Sequence, residues 1–299
     1  MTRQSFRADL LMLFIAMIWG STFVAQRLGM DAVGPFFYSA SRFLLGALLL
    51  LPLIYYRSAP ENARSESLWR DGALLGLIIA VGINLQQVGL QFTSVANAGF
   101  ITSLYVVIVP IIGVFLRHKM HAATWVGVAL AAIGMYFLSV QGDFIVAKGD
   151  YLQLLGTLAW AAHVILLSAL SKKHDPIRLS VVQFFVCGLA CLILSLLFED
   201  LASQHLVQAL PAILYGGVLS VGIGYTLQVV AQRNAIPSHA AIIFSMESVF
   251  AALAAWLVLG ETLSARAIFG CALMLAGMLI AQLVPLYLQK IPPSEAHAQ

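Results

Sequence analysis

The chain has 299 residues, of which 61% are hydrophobic and only 10% are charged, and its mean hydropathy is +0.93. Soluble domains are roughly 45–50% apolar and about 25% charged, so this composition excludes a chain that folds mainly in water. The net charge of +3 comes from basic residues scattered over the loops, which excludes a basic patch for nucleic acid. We expect the lipid bilayer to surround most of the chain.

Ten apolar segments follow one another along the chain, separated by short polar or helix-breaking stretches. Each is close to the ~20 residues that an α-helix needs to cross the hydrocarbon core. An open sheet would leave backbone groups unpaired in lipid, and the alternation typical of a membrane barrel is absent, so the sequence predicts an all-α polytopic membrane protein. We expect ten transmembrane helices at residues 8–28, 36–56, 72–92, 97–117, 121–140, 150–171, 178–198, 210–232, 238–259 and 264–288.

The distribution of lysine and arginine predicts the orientation of these helices. With the N terminus in the cytoplasm, most of the 16 basic residues fall in cytoplasmic loops and tails, whereas only Lys148 and Arg266 fall in outer loops. Positively charged loops are retained on the cytoplasmic side. We therefore expect both termini in the cytoplasm and the chain in a bacterial inner membrane.

The two halves of the chain repeat each other weakly at an offset of about 141 residues. Corresponding pairs are Trp19 and Trp160, Gly76 and Gly217, Gln87 and Gln228, Ser103 and Ser245, and Gly134 and Gly277. Each half holds five helices, an odd number, so the second copy enters the membrane upside down; the alternative is chance similarity between apolar helices. We expect inverted repeats at 1–141 (helices one to five) and 149–288 (helices six to ten), with a cytoplasmic tail at 289–299. Secondary transporters have this architecture, with a site at the midplane between the halves.

Three runs of the sequence resemble a known family. They are AMIWGSTFVAQR from Ala16 to Arg27, SASRFLLGALLLLP from Ser39 to Pro52, and SMESVFAALAAWLVLGETLSARAIFGCALMLAG from Ser245 to Gly277. These runs are similar to the paired EamA half-repeats of the drug/metabolite transporter superfamily, and within it to YddG-type bacterial exporters of aromatic and other amino acids. The resemblance implies a cavity lined by helices one, three, four, six, eight and nine, with helices five and ten at the periphery.

Two stripes of polar side chains predict the lining of a cavity. One lies on a single face of helix three, at i, i+3 and i+7, and the other occupies the equivalent positions of helix eight. Their members are Asn84, Gln87 and Gln91 and, on helix eight, Tyr225, Gln228 and Gln232. Amides are costly in lipid unless they face other helices or water, so both stripes should point inward. Neutral amides and rings suit a zwitterion with an apolar side chain; the alternative is interhelical hydrogen bonding without a ligand.

Other candidates lie in the middle of predicted spans. Trp19 and Trp160 are too deep for the interfacial tryptophan belt, and they form either cavity walls or core packing. His163, three residues after Trp160, either faces the cavity or is a core histidine. We also place Tyr105 on helix four and Ser245 on helix nine among the cavity candidates.

Three further residues inside spans have distinctive chemistry. Glu247 lies about nine residues into helix nine, and a lone carboxylate at that depth is a functional candidate, for a proton or for a substrate amine. A structural pairing with Arg42 is the alternative, although their depths differ by roughly 9 Å. We expect Arg42 to be structural, and Pro110 to be structural as well, because a proline there removes a backbone hydrogen bond and favours a kink. No metal site and no cofactor are expected.

These features favour a secondary transporter, working as a monomer, that exports small neutral or aromatic amino acids or related metabolites by alternating access. No phosphate-binding loop is present, so transport is driven by the substrate gradient or by an ion. Helix one has no carboxylate in the membrane, since Asp9 is at its start, which favours facilitated export over the alternative, proton-coupled multidrug efflux. We expect no enzyme, because an intramembrane hydrolase would need a serine–histidine motif that the sequence lacks.

Overall fold

The structure, a computed structural model, describes residues 3–56, 66–117, 120–139, 148–200, 205–233, 235–262 and 264–290, and every regular element in these ranges is a helix. The predicted tail therefore lies outside the described residues from 291 onward. We number ten helical units in chain order. They are α1 (Arg3–Gly29), α2 (Pro35–Tyr56), α3 (Glu66–Gly89), α4 (Val95–Ser103 and Tyr105–Phe115), α5 (Ala122–Ser139), α6 (Lys148–Leu170), α7 (Pro176–Phe198), α8 (Leu206–Leu214, Tyr215–Tyr225 and Thr226–Gln232), α9 (Pro237–Phe244 and Glu247–Leu259) and α10 (Ala265–Lys290).

These helices have the length and the surface of a membrane protein. In the described part of the chain, eight units are long and apolar enough to span a bilayer, and α5 and α10 contain the shorter apolar stretches Ala122–Phe137 and Ile268–Ala281. Large apolar side chains such as Leu77, Phe115 and Leu197 are exposed on the outer surface. A water-soluble monomer rarely exposes apolar patches of this extent. The prediction of an all-α, multi-pass membrane protein is confirmed.

The packing of the helices repeats between the two halves. α1 packs against α9 as α6 packs against α4, and α2 packs against α8 as α7 packs against α3. α5 and α10, which are counterparts, pack against each other: a Cβ on Gly127 would lie 2.7 Å from the carbonyl oxygen of Gly277, and one on Gly134 would lie 2.5 Å from that of Gly270. The beginning of α5 thus meets the end of α10, so the counterparts are antiparallel. The predicted pair of inverted five-helix repeats is confirmed.

α4 and α9, which are also counterparts, are both interrupted near their middles. Leu104 at the first break has φ −60° and ψ −12°, and Met246 at the second has φ −61° and ψ −13°. The second halves begin at Tyr105 and Glu247. The same local deviation in both copies therefore places two polar side chains at equivalent depths in the bundle.

The interruption of α4 does not coincide with its proline. The helix continues from Tyr105 through Pro110 to Phe115, and the break is at Leu104. A kink caused by Pro110 stays a prediction, and the interruption of α4 at Leu104 lies six residues before the proline.

The middle of α8 departs from α-helical geometry in a way that its counterpart α3 does not. Residues Tyr215–Tyr225 form a π-helix. Its hydrogen bonds run from residue i to residue i+5, so each turn holds more residues than an α-helical turn. Side chains near and after this segment are therefore rotated relative to their counterparts on α3. Two glycines bring the segment close to its neighbours, since a Cβ would lie 2.6 Å from the Leu45 side chain at Gly217 and 2.9 Å from Trp19 Nε1 at Gly224.

Candidate substrate cavity

A cavity of about 40 Å³ lies where helices of both repeats meet. At roughly 10–15 Å³ for a single water, this space holds a few water molecules, so a larger ligand requires the surrounding helices to move apart. Its walls come from the helices implied by the family resemblance and, in addition, from α2; α5 and α10 do not contribute. The lining residues are Trp19, Thr22, Phe23, Gln26, Arg42, Ile83, Gln86, Thr102, Tyr105, Trp160, His163, Val164, Ser220, Tyr225, Gln228 and Glu247.

One continuous face of α1 forms the first wall. Trp19, Thr22, Phe23 and Gln26 are spaced at i, i+3, i+4 and i+7, the period that places side chains on one side of a helix. Gln26 is buried, and its Oε1 has no hydrogen-bond partner among the described residues. An unsatisfied acceptor at a cavity wall is available to a donor on a ligand.

Aromatic rings gather around Tyr225 on α8. The ring centroids of Trp19, Trp160 and His163 lie 4.8, 6.4 and 6.3 Å from the centroid of Tyr225. The indole Nε1 of Trp19 donates to the carbonyl oxygen of Ser220, in the π-helical segment, at 3.4 Å. The two tryptophans, which are counterparts in the repeat, therefore both lie near one tyrosine and provide an apolar wall.

Glu247 lies at the junction of the two repeats. Its side chain is buried, and its Oε1 accepts hydrogen bonds from the hydroxyl groups of Tyr105 at 3.1 Å and Ser103 at 3.5 Å. Tyr105 and Glu247 are counterparts, each being the first residue after the break in its own helix. A bond between equivalent positions places the cavity next to the local two-fold axis that relates the repeats.

Arg42 of α2 also lines the cavity. It is 1% exposed, and its guanidinium carbon lies 5.4 Å from the ring centroid of Tyr38 and 5.3 Å from that of Phe43. Its Nε and Nη2 have no hydrogen-bond partner among the described residues. The pairing with Glu247 considered as an alternative is not formed, since no ion pair between the two is present in the described part of the chain. An expected structural residue thus contributes a positive charge to the cavity wall.

The polar stripe predicted on α3 does not face the cavity, which corrects the prediction for Asn84, Gln87 and Gln91. Asn84 donates to the carbonyl oxygen of Ala80 at 2.7 Å, and Gln87 donates to the carbonyl oxygen of Gln26 at 3.4 Å. Gln91 is exposed, in the turn that follows α3. These side chains therefore bind neighbouring backbone or face the surface of the bundle.

The equivalent stripe on α8 does reach the cavity, through Tyr225 and Gln228. Gln232, one turn further on, is buried but donates to the hydroxyl oxygen of Ser168 at 2.9 Å. On α3 the lining positions are instead Ile83 and Gln86. The π-helical segment explains the difference, because it rotates the side chains of α8 relative to those of α3, so that positions equivalent in sequence no longer share an orientation.

Ser245 is close to the cavity but does not line it, which corrects its predicted place there. Its hydroxyl donates to the carbonyl oxygen of Ile242 at 2.7 Å, inside its own helix. The break in α9 leaves that carbonyl without a full helical partner, and the serine satisfies it. No group of three or more metal-binding side chains is present within the ranges that the structure covers.

The polar lining residues that were not predicted from the sequence are Thr22, Gln26, Gln86, Thr102 and Ser220; the apolar ones are Phe23, Ile83 and Val164. The first two could have been found, because they follow Trp19 by one and two turns of α1. Thr102 precedes Tyr105 by one turn of α4, and the same reasoning applies to it. Gln86 and Ser220 carry no such signal, because their orientation depends on how α3 and the π-helical segment pack.

Comparison with known proteins supports a membrane transporter built from two repeats. The model of the EamA-like transporter family matches residues 6–140 and again residues 147–282. An uncharacterized transporter of Archaeoglobus fulgidus is 33% identical over 280 residues, covering 92% of this chain and 86% of its own. The uncharacterized transporter YoaV of Bacillus subtilis is 24% identical over 272 residues, covering 88% of this chain and 92% of its own.

A solved crystal structure of another protein has the same fold. It superimposes with a TM-score of 0.79 and covers 95% of this chain and 99% of its own, at 18% sequence identity. Both repeats match the family model, and a relative above 30% identity spans nearly the whole chain. The chain therefore belongs to the EamA-like transporter family and is a multi-pass membrane transporter.

Proposed function

We propose that this transporter exports small neutral or aromatic amino acids, or closely related metabolites, by alternating access between its two inverted repeats. The observation that carries the proposal is the cavity between the repeats, which combines an aromatic wall with buried polar atoms that have no hydrogen-bond partner among the described residues. In secondary transporters with inverted repeats, the site lies at the interface of the repeats near the midplane. The protein acts as a monomer in this proposal, since one chain supplies the whole cavity.

The chemistry of the lining supports an amino acid as the substrate. Rings of Trp19, Trp160 and Tyr225 suit an apolar or aromatic side chain, because ring pairs stabilise each other beyond the area they bury. The Oε1 atoms of Gln26 and Gln228 are buried acceptors without a donor among the described residues. An α-ammonium group supplies such donors, and binding would remove the cost of leaving the amide oxygens unpaired.

In this proposal the charge distribution supports the orientation of the protein in the membrane, and the substrate gradient sets the direction of transport. The excess of lysine and arginine in alternate loops supports an orientation with both termini in the cytoplasm of a bacterium. In that orientation α1 begins at the cytoplasmic face. The cavity then exchanges between cytoplasm and exterior, and a high internal concentration of the amino acid drives net export.

A proton-coupled multidrug efflux carrier is the second candidate, and one observation favours it. Glu247 is a buried carboxylate in the middle of a span, hydrogen-bonded to Tyr105 on the opposite repeat. Carboxylates in this position commonly serve as proton carriers in membrane transporters. The two candidates differ in what drives transport and in what is carried.

A counterflow experiment tests the proposal. Purified protein in liposomes preloaded with unlabelled phenylalanine should accumulate external radiolabelled phenylalanine, and a panel of neutral amino acids should compete. Accumulation should be the same with and without an imposed pH gradient, and protein-free liposomes provide the control. Uptake of cationic drugs that requires the gradient, with no counterflow of any amino acid, would contradict the proposal and favour multidrug efflux.

A further inference from the structure

The strongest unexplained feature of the cavity is the buried charge of Arg42. A guanidinium keeps its positive charge at any physiological pH. Arg42 is 1% exposed and sits within a span, on the wall of a cavity. A buried charge is costly unless it is paired and hydrogen-bonded, so this residue needs a partner.

The surroundings of Arg42 stabilise its charge but do not satisfy its hydrogen-bond donors. The rings of Tyr38 and Phe43 lie 5.4 and 5.3 Å from its guanidinium carbon, and an aromatic face attracts a cation. A ring face does not accept the hydrogen bonds that Nε and Nη2 would donate, and both atoms are without an acceptor among the described residues. The planar guanidinium therefore presents unused donors beside the cavity.

Glu247 provides a carboxyl group on the same cavity. Both of its hydrogen bonds, from Tyr105 and Ser103, end on Oε1. The second carboxylate oxygen is thus available to a ligand. Arg42 and Glu247 line one cavity and form no ion pair in the described part of the chain, so the guanidinium and the carboxyl group face the same space.

We propose that Arg42 anchors the carboxylate of the transported molecule, while Glu247 receives its ammonium group, so that the site selects zwitterionic amino acids. Arginine suits this role because its fork of donors binds a carboxylate with two parallel hydrogen bonds. The inference rests on the proposed function and adds to it the residues that read the two charges of the substrate. It also explains why a charge is retained where an apolar residue would be easier to bury.

A purely structural role for Arg42 makes a different prediction. The Cδ of Arg42 lies 3.1 Å from where a Cβ on Gly216 would be, so the side chain packs tightly between α2 and α8. If Arg42 only held these helices together, its replacement would weaken the fold and reduce the binding of every ligand alike. If it binds a carboxylate, replacement changes selectivity between ligands and leaves the ligand-free protein folded.

Three ligands with the same phenyl ring test the contributions of the two charges separately. Phenylalanine carries both charges, phenethylamine carries only the ammonium, and 3-phenylpropionate carries only the carboxylate. Binding is measured as the rise in thermal midpoint of the purified protein, and transport as the KM of counterflow. The variants are Arg42→Met, which removes the charge at similar length, and Arg42→Lys, which keeps the charge but loses the planar fork.

A matched control is available elsewhere in the chain. Arg266 also lies over two rings, 5.4 Å from the centroid of Tyr136 and 5.3 Å from that of Phe137, but it is exposed and does not line the cavity. Arg266→Met should therefore leave the response to all three ligands as in the wild type. This control distinguishes the effect of removing an arginine stacked on rings from the effect of removing a contact with the ligand.

In the wild type, phenylalanine should raise the thermal midpoint more than either singly charged ligand. Arg42→Met should raise the KM for phenylalanine at least tenfold and abolish the response to 3-phenylpropionate, with the response to phenethylamine unchanged. Arg42→Lys should lie between the two, and it carries the test by itself if Arg42→Met does not fold. A wild-type KM for phenylalanine in both variants, or an equal loss for all three ligands, would overturn this inference alone. A wild-type protein that neither binds nor exchanges phenylalanine would overturn the proposed function together with it.

Discussion

Gln87 and Gln228 hold the same place in the two repeats, yet their side chains have different surroundings. Gln228 lines the cavity, whereas Gln87 does not line it and donates to the carbonyl oxygen of Gln26; the Oε1 of each has no partner among the described residues. This pair provides a matched comparison, because the two residues share their chemistry, their burial and their sequence context. A ligand contact should distinguish them, and a general effect of amides in the bundle should not.

We predict that Gln228→Leu raises the KM for phenylalanine counterflow about tenfold or more. A hydrogen bond to a charged group contributes about 1.5–3 kcal/mol, and each 1.4 kcal/mol corresponds to about a tenfold change in affinity. Gln87→Leu should leave the KM within about twofold of the wild-type value. Equal effects of the two variants would show that Gln228 has no special contact with the substrate.

Helix crossings position these side chains, and both α1 and α9, which cross at Gly20, contribute residues to the cavity. A Cβ on Gly20 would lie 2.5 Å from the carbonyl oxygen of Glu247 and 2.8 Å from the backbone nitrogen of Ala251. Backbone atoms cannot move aside as the end of a side chain can. A methyl group at this position would therefore push α9 away from α1 and displace the carboxylate at its break.

We predict that Gly20→Ala lowers the thermal midpoint of the ligand-free protein and weakens its response to phenylalanine. Overpacking of this kind costs about 1–3 kcal/mol. Gly156→Ala on α6 is the control, since its Cβ would meet its nearest neighbour at 3.4 Å, an ordinary contact, and alanine is favoured over glycine in helices by about 0.5–1 kcal/mol. Its thermal midpoint should stay the same or rise. A drop as large as that of Gly20→Ala would show that the crossing is not specially tight.

At the scale of helices, hydropathy predicted the spans well but not their irregularities. The span predicted at 210–232 is found at Leu206–Gln232, because apolar length is a property of the local sequence. The break at Leu104 and the π-helical segment at Tyr215–Tyr225 were not predicted. The break in α4 is at a leucine, so no proline or glycine marks it in the sequence. The geometry of α8 depends on its packing against α1 and α2.

The difference between local sequence properties and properties that depend on packing also explains which site residues were predicted correctly. The aromatic residues Trp19, Trp160 and Tyr225 could be selected from the sequence because polar-tipped rings at mid-span depth are unusual wherever they face. The amides of α3 were assigned to the cavity because they correspond in sequence to residues of α8, but their side chains do not have the same orientation. The role of Arg42 could not be predicted from its depth alone, since only the packed structure shows that no carboxylate among the described residues pairs with it.

The two repeats are related by one axis, but they contribute chemically different side chains to the cavity. The repeats share their helix order and packing, but Tyr105 and Glu247, which meet at the axis, differ in charge, and Tyr225 has Asn84 as its counterpart. The scaffold is thus symmetric and the cavity is not. A symmetric scaffold allows the same motion toward either face of the membrane, and an asymmetric cavity allows one orientation of a zwitterion to be preferred.

The central claim, that the cavity between the repeats holds the transported amino acid, is tested most directly by substrate protection of a cysteine in its wall. In a protein without Cys187, Cys191 and Cys271, the replacement Thr102→Cys introduces a small thiol at a lining position. Gln91→Cys, at an exposed position outside the cavity, is the control. The rate of modification by a water-soluble thiol reagent is measured in liposomes with and without phenylalanine. We predict that phenylalanine slows modification at position 102 and not at position 91; equal rates at position 102 with and without phenylalanine would contradict the claim.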